Sequence, residues 1–191
     1  MKIGVLALQG DTREHLRALE SAGATPVEVR TATQVEEVDA LIIPGGESTT
    51  IGKLLDRFGL LEPLKERVGD GLPLFGTCAG LILMANEIVG GQDAPHRLGV
   101  MDIGVRRNAY GRQVDSFEAE LEVSGFDGAF TAVFIRAPII ERVGRTVEVL
   151  ATSDDIPVLV RQGNLVASSF HPEMTGDARL HEMFVEISRG A

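Results

Sequence analysis

The chain has 191 residues, 44% hydrophobic and 24% charged, which is ordinary globular usage and enough length to bury roughly 70% of the unfolded surface without a metal or disulfide staple. Lys and Arg number 18 against 28 Asp and Glu, for a formal charge of −10, which argues against a nucleic-acid partner. The single cysteine, Cys78, excludes an intrachain disulfide and any multi-cysteine zinc or iron–sulfur site, and no apolar run approaches a bilayer span, so a cytoplasmic protein without a membrane partner is expected.

Residues 3–8 form a continuous apolar run suited to a strand buried on both faces. With only six apolar residues and no small-residue cleavage site, it reads as a first strand and not as a signal peptide. Asp11-Thr12-Arg13-Glu14 has capping-box spacing, Leu16 and Leu19 share a helix face, and Gly23 supplies a stop. Strands are predicted over 25–30 and 39–43, the second ending abruptly in Pro44-Gly45-Gly46. Residues 48–68 have helical spacing, with Pro63 restarting the helix. Residues 72–76 read as a fourth strand, running through Thr77-Cys78-Ala79-Gly80 into an apolar helix that extends to about Val89.

Beyond residue 90 the rhythm changes. Short strand candidates follow at 100–106, 117–123, 131–136, 147–150, 157–161 and 165–170, punctuated by Gly, Asp and Asn. The last segment is a helix with Leu180, Met183, Phe184 and Ile187 on one face. The pattern predicts one α/β domain over residues 1–191: βαβα units in an open mixed sheet flanked by helices, with added antiparallel strands.

The most informative segment is Gly76-Thr77-Cys78-Ala79-Gly80. It is G-x-C-x-G, the cysteine analogue of the nucleophile elbow, in which small flanking residues permit a tight strand-to-helix turn. Such a turn projects the thiol at the carboxyl edge of the sheet, where the first helical N–H groups favour its thiolate form and the Ala79 N–H faces a developing oxyanion. The alternative is a cysteine serving as a small core hydrophobe.

A thiol nucleophile needs a proton acceptor. His15 and His181 sit in helices beside charged residues and are expected to be exposed; His96 follows Asp93-Ala94-Pro95 in a loop. His171 ends a predicted strand and precedes Pro172 and Glu173, so its ring is expected where parallel sheets bind ligands, with Glu173 holding the imidazole. The alternative is a polar loop with Glu173 serving the N-terminus of the next helix. A third piece, Pro44-Gly45-Gly46-Glu47-Ser48-Thr49, lets the backbone approach a ligand closely, with the Gly46 N–H as a second oxyanion donor. The alternative there is a turn capped by Ser48. The spacing matches neither a P-loop nor a dinucleotide fingerprint.

Together, GTCAG and HPE resemble the nucleophile and base motifs of class I (triad-type) glutamine amidotransferases. LALQGDTREH, IIPGGESTT, FGTCAGL, RRNAYGRQVDSFE, VFIRAP and SFHPE, spanning residues 6–173, are similar to the glutaminase subunits of pyridoxal 5′-phosphate synthases. Arg106 stands at a position often acidic in that family, and residues 140–160 are only loosely similar. The resemblance implies the flavodoxin-like amidotransferase fold and a Cys78–His171–Glu173 triad that hydrolyses L-glutamine to glutamate and ammonia through a thioester. It implies an oxyanion hole from the backbone of Gly46 and Ala79, and glutamine binding by Gly46, Glu47, Ser48, Arg107, Ile135 and Arg136. A zwitterionic substrate makes both Arg and Glu chemically sensible; without it, Arg107 and Arg136 read as surface ion pairs.

No metal or organic cofactor is implied, since pyridoxal 5′-phosphate would be the partner's product. That partner would be a (β/α)₈-barrel synthase subunit, in a complex of twelve synthase and up to twelve glutaminase subunits. Chemistry alone leaves open a stand-alone cysteine hydrolase of γ-glutamyl or peptide bonds, and a non-catalytic binding module of the same fold.

Overall fold

A computed structural model describes residues 1–90, 96–107 and 116–191. Asp93-Ala94-Pro95 and the 108–115 part of the RRNAYGRQVDSFE stretch lie outside the described residues. In chain order the first half comprises β1 (Lys2–Leu6), α1 (Thr12–Ser21), β2 (Thr25–Val29), α2 (Ala32–Glu36), β3 (Ala40–Ile43), α3 (Ser48–Arg57), α4 (Leu61–Gly69), β4 (Leu74–Thr77), α5 (Ala79–Met84) and β5 (Ala85–Ile88). There follow β6 (Met101–Arg106), β7 (Ser116–Leu121), β8 (Phe130–Ile135), β9 (Ile139–Val143), β10 (Glu148–Ser153), β11 (Ile156–Gln162), β12 (Leu165–Ser168), a 3₁₀ turn (Pro172–Met174) and α6 (Arg179–Arg189).

Seven strands form the main sheet in the order β10-β11-β12-β4-β3-β1-β2. The run from β12 to β2 is parallel, with Val166 opposite Phe75, Phe75 opposite Ile42, and Val5 opposite Ile42 and Glu28. The β10–β11–β12 edge is antiparallel. A smaller β5-β6-β9 sheet and a β7–β8 hairpin complete the described strands. The expected open mixed sheet with appended antiparallel strands is the observed one.

Alternation along the central strands divides the core in two. Leu6, Leu41, Ile43 and Leu74 face one side, packed under Ile51 and Leu55 of α3, Leu64 and Val68 of α4, and the small sheet. Ile3, Val5, Ile42 and Phe75 face the other, under Leu19 of α1, Leu180 and Phe184 of α6, and the β7–β8 hairpin. Strands covered on both faces read as unbroken apolar runs, as β1 and β3 do.

Several elements differ from expectation. The helix after Cys78 ends at Met84, not near Val89, because residues 85–88 pair in parallel with β6. Helix α2 is a single turn that sequence periodicity misses; Thr31 and Gln34 close a reciprocal capping box around it. Strand β9 is likewise unexpected and pairs antiparallel with β6. The helical stretch 48–68 breaks between Arg57 and Leu61, ahead of Pro63 in the first turn of α4. Asp11 makes no side-chain cap to α1; its carboxylate lies instead 3.7 Å from His171 Nδ1.

Candidate active site

Parallel strands deliver their carboxyl ends to one edge of the sheet, and there the loops after β1, β3, β4 and β12 meet. Cys78 sits in the elbow between β4 and α5 with φ 48°, a left-handed value for a residue with a Cβ. Holding it costs on the order of 1–3 kcal/mol. Its N–H donates to the Ser168 carbonyl at 2.8 Å, tying the elbow to β12. The flanking glycines are sterically required. A Cβ on Gly76 would lie 2.6 Å from the Gly80 carbonyl carbon and from Met84 Sδ, and one on Gly80 would lie 2.2 Å from the Ile43 carbonyl oxygen. Cys78 is 7% exposed, and its sulfur lies 3.9 Å from the Ile135 carbonyl oxygen.

His171 follows β12 and is fixed by its own N–H, which donates to the Val133 carbonyl at 2.8 Å. Its ring lines the same cavity as the Cys78 thiol, which helps raise its pKa, and Nδ1 donates to Glu173 Oε1 at 2.8 Å. Burial opposes a positive ring, but the hydrogen bonds and charges of Cys78 and Glu173 outweigh it and hold His171 up at about 10. Glu173 sits in the 3₁₀ turn with its side chain wholly buried. Burial raises its pKa, and the hydrogen bond and charge of His171 pull the other way. Gly45 packs directly on this ring, since a Cβ there would come within 2.3 Å of His171 Cε1.

A cavity of about 400 Å³ opens on the thiol. It is lined by Gln9, Gly10 and Asp11 from the loop after β1, by Gly46, Glu47 and Ser48 after β3, and by Cys78, Ala79 and Ile82 of the elbow. Arg107, Ile135, Arg136, His171 and Met174 complete it. Every residue predicted to bind glutamine or to form the oxyanion hole therefore lines one pocket. Glu47, and not Ser48, caps α3, accepting from the Thr49 and Thr50 N–H groups. Burial raises the pKa of Glu47, but these bonds outweigh it and leave the carboxyl below its ordinary range. Arg107 reaches across to Glu47 Oε1 at 3.2 Å and Thr49 Oγ1 at 3.1 Å, so the expected ion pair exists inside the pocket. Arg136 lies exposed and holds φ 44°. The opposite charges of Glu47 and Arg107 suit a zwitterion, which replaces both partners at once.

Asp11, His171 and Glu173 are the one group among the described residues with metal-ligating atoms close together. Within it, His171 Nδ1 hydrogen-bonds Glu173 Oε1 and has Asp11 Oδ2 at 3.7 Å. His96 is excluded from the site: it is half-buried, pairs with Asp56 at 3.4 Å and does not line the cavity.

Three site residues escaped the sequence reading. Gln9 accepts the Glu47 N–H on its side-chain carbonyl at 2.8 Å and so braces the glycine loop. His15 and His181, expected at the surface, are fully buried, His15 beside Glu173 and His181 against His15. The signal was present in helical spacing: His15 shares a face with Leu19 four residues on, and His181 with Phe184 three residues on.

The sequence profile of the SNO glutamine amidotransferase family matches residues 5–189. A pyridoxal 5′-phosphate synthase subunit PdxT from Frankia casuarinae is 60% identical over 191 residues, covering all of this chain and 96% of the relative. A crystal structure of a glutamine amidotransferase superposes with a TM-score of 0.93 at 57% identity, over 98% of both chains. The structure of PurLQS from Thermotoga maritima shares the fold at 16% identity, with a TM-score of 0.63 over 99% of this chain and 95% of the other. By a profile and relatives that span nearly its full length, this chain belongs to the SNO glutamine amidotransferase family.

Proposed function

We propose that this chain is the glutaminase subunit of a pyridoxal 5′-phosphate synthase, one amidotransferase domain over residues 1–191 working in the cytoplasm. The observation that carries the reading is the placement of His171 in one cavity of amino-acid size with the Cys78 thiol, its ring hydrogen-bonded to the buried Glu173 carboxylate. The full-length similarity to a pyridoxal 5′-phosphate synthase subunit supports the partner.

L-Glutamine enters with its α-carboxylate toward Arg107 and Arg136 and its α-ammonium toward Glu47. With its proton held by His171, the Cys78 sulfur attacks the side-chain amide carbon, and the N–H groups of Gly46 and Ala79 hold the oxyanion. His171 gives its proton to the departing nitrogen, which leaves as ammonia, and a γ-glutamyl thioester remains. His171 then takes a proton from water, the hydroxide attacks the thioester carbon, and glutamate leaves as the thiol is restored. Glu173 stays ionised to orient His171 and to stabilise its charged form. No step calls for a metal or organic cofactor. Ammonia passes to a (β/α)₈-barrel synthase subunit, in a complex of twelve synthase and up to twelve glutaminase subunits; the acidic charge of −10 suits a basic docking face.

The test is Cys78→Ala in the presence of the synthase subunit. Glutamine-dependent formation of pyridoxal 5′-phosphate should be lost, and product formation from added ammonium should persist. Hydrolysis of glutamine by Cys78→Ala at the wild-type rate overturns the nucleophile assignment. Full glutaminase turnover that is the same with and without the synthase would favour the stand-alone hydrolase.

A further inference from the structure

The triad does not end at Glu173. A buried ionised carboxylate needs hydrogen-bond donors at both oxygens, or the ion is replaced by the neutral acid. Glu173 Oε1 has His171. Oε2 is buried without a well-aligned hydrogen bond, and a nitrogen stands next to it: His15 Nε2, at 3.3 Å, with both side chains wholly buried. The same nitrogen is 3.2 Å from Thr77 Oγ1, one residue before the nucleophile. On its far side, His15 Nδ1 is 3.0 Å from His181 Nε2.

Tautomers decide what this chain of rings does. If the His15 proton sits on Nδ1, it donates to His181 Nε2. His181 then carries its own proton on Nδ1, a buried atom with no partner, and Glu173 Oε2 has no donor at all. If the His15 proton sits on Nε2, it points at Thr77 and Glu173, and Nδ1 accepts the His181 Nε2–H. A bare acceptor on His181 Nδ1 and the hydroxyl proton of Thr77, both neutral, are then left over. An unpaired oxygen of an ionised buried carboxylate beside an unpaired donor is the costlier arrangement.

We propose that His15 is a positioning residue of the glutaminase triad, its Nε2–H holding the second oxygen of the Glu173 carboxylate, with His181 fixing the tautomer required. The proposal rests on the Cys78–His171–Glu173 reading above.

Neutrality is part of the design. Burial, then the nearby His181 and His171, keep His15 far below the ordinary histidine range, and burial holds His181 at about 4. A neutral donor supports the carboxylate without competing with His171 for its charge. The other titratable groups facing this cluster are Asp11 at the start of α1, whose charge acts on Glu173, and Cys78 beyond His171. Glu14, Arg17 and Asp177 line a cavity of about 200 Å³ on the outer side of Glu173.

The experiment measures glutaminase kinetics in complex with the synthase subunit. His15→Leu removes the donor and is expected to lower kcat about 10–100-fold, with KM for glutamine within about twofold. The acid limb of kcat/KM should move to higher pH, because a carboxylate that loses a donor is protonated sooner. His15→Gln places an amide nitrogen near the Nε2 position and should recover most of the rate; His15→Asn places it near Nδ1 and should not. In a Glu173→Gln background, His15→Leu should cost less than about twofold, since its effect passes through the carboxylate. Should His15→Leu fail to fold, His181→Leu, which removes the tautomer-setting donor, should shift the acid limb in the same direction. Wild-type kcat in His15→Leu, or equal losses in all three His15 variants with an unmoved acid limb, overturns the proposal. An active Cys78→Ala protein would instead sink the triad itself, so the two failures are distinguishable.

Discussion

In the proposed mechanism Cys78, His171 and Glu173 differ in how much of the chemistry passes through each. There the base moves protons in both half-reactions, while the carboxylate orients it through a single 2.8 Å contact. His171→Asn should therefore lower kcat by about 10³-fold or more, and Glu173→Gln by less, as losing an orienting group leaves residual catalysis in other triads. Steady-state glutaminase assays decide it; near-normal turnover in His171→Asn, with loss in His96→Asn, would move the role to His96. That these three residues meet at one sheet edge was legible in the sequence from local context: a thiol between spaced glycines, and a histidine before Pro-Glu at a strand end. Glu47 and Arg107 were legible only through family resemblance, since a surface ion pair has the same residue types. His15 and His181 were misread because neighbouring charges in sequence say nothing of which helix face a side chain occupies. Their apolar partners at helical spacing, Leu19 and Phe184, were the better guide.

At the level of elements, the elbow is where local sequence and long-range packing agree most closely. Gly80 must admit the end of β3, because a Cβ there would press within 2.2 Å of a backbone oxygen that has no rotamer to escape into. Gly80→Ala is expected to destabilise the chain by about 1–3 kcal/mol and to disturb the thiol at the same time. Gly69, at the end of α4, has nothing within 4 Å of its would-be Cβ. Gly69→Ala should stabilise by about 0.4–1 kcal/mol through the unfolded chain. Urea unfolding of the two variants gives opposite signs if the packing is as described; a neutral Gly80→Ala contradicts it. Elements with both faces buried were readable from apolar runs alone, as β1, β3 and β4 were. Those defined by a distant partner were not. Residues 85–88 carry an apolar pattern that suits a helix or a strand equally, and pairing with β6 decides the outcome. Helix α2 is too short for a period, so only its capping box marks it.

For the molecule as a whole, the buried histidine pair gives stability a defined pH dependence. An unfolded histidine titrates near its ordinary value of about 6.5. In the folded chain His181 is held at about 4 and His15 is also strongly lowered, both by burial first. A depressed histidine contributes stability that is fully present above the unfolded value and is lost as pH falls toward the folded one, because the unfolded chain binds protons the folded chain refuses. Each such histidine approaches a loss of about 1.4 kcal/mol per pH unit within that window. His171, raised to about 10, opposes that loss near pH 6.5, where the unfolded ring is only about half charged, and adds no slope once the unfolded ring is fully charged, about one pH unit lower. Glu173 also opposes the loss, since its raised carboxyl takes up a proton in the folded state before it does in the unfolded one. Once His171 is charged in both states, two losses against the Glu173 gain leave a net fall in stability on acidification from about pH 5.5 to 5, above the range where Glu47, Asp102 and Asp177, all lowered, begin to add their own losses. His181→Leu removes one of the two contributions, so its stability curve over pH 6.5 to 5 should be flatter than wild type by up to about 1.4 kcal/mol per pH unit. Urea unfolding at half-unit steps measures both slopes. Identical slopes would show that His181 is not the neutral, buried ring that the packing of α6 against α1 makes it.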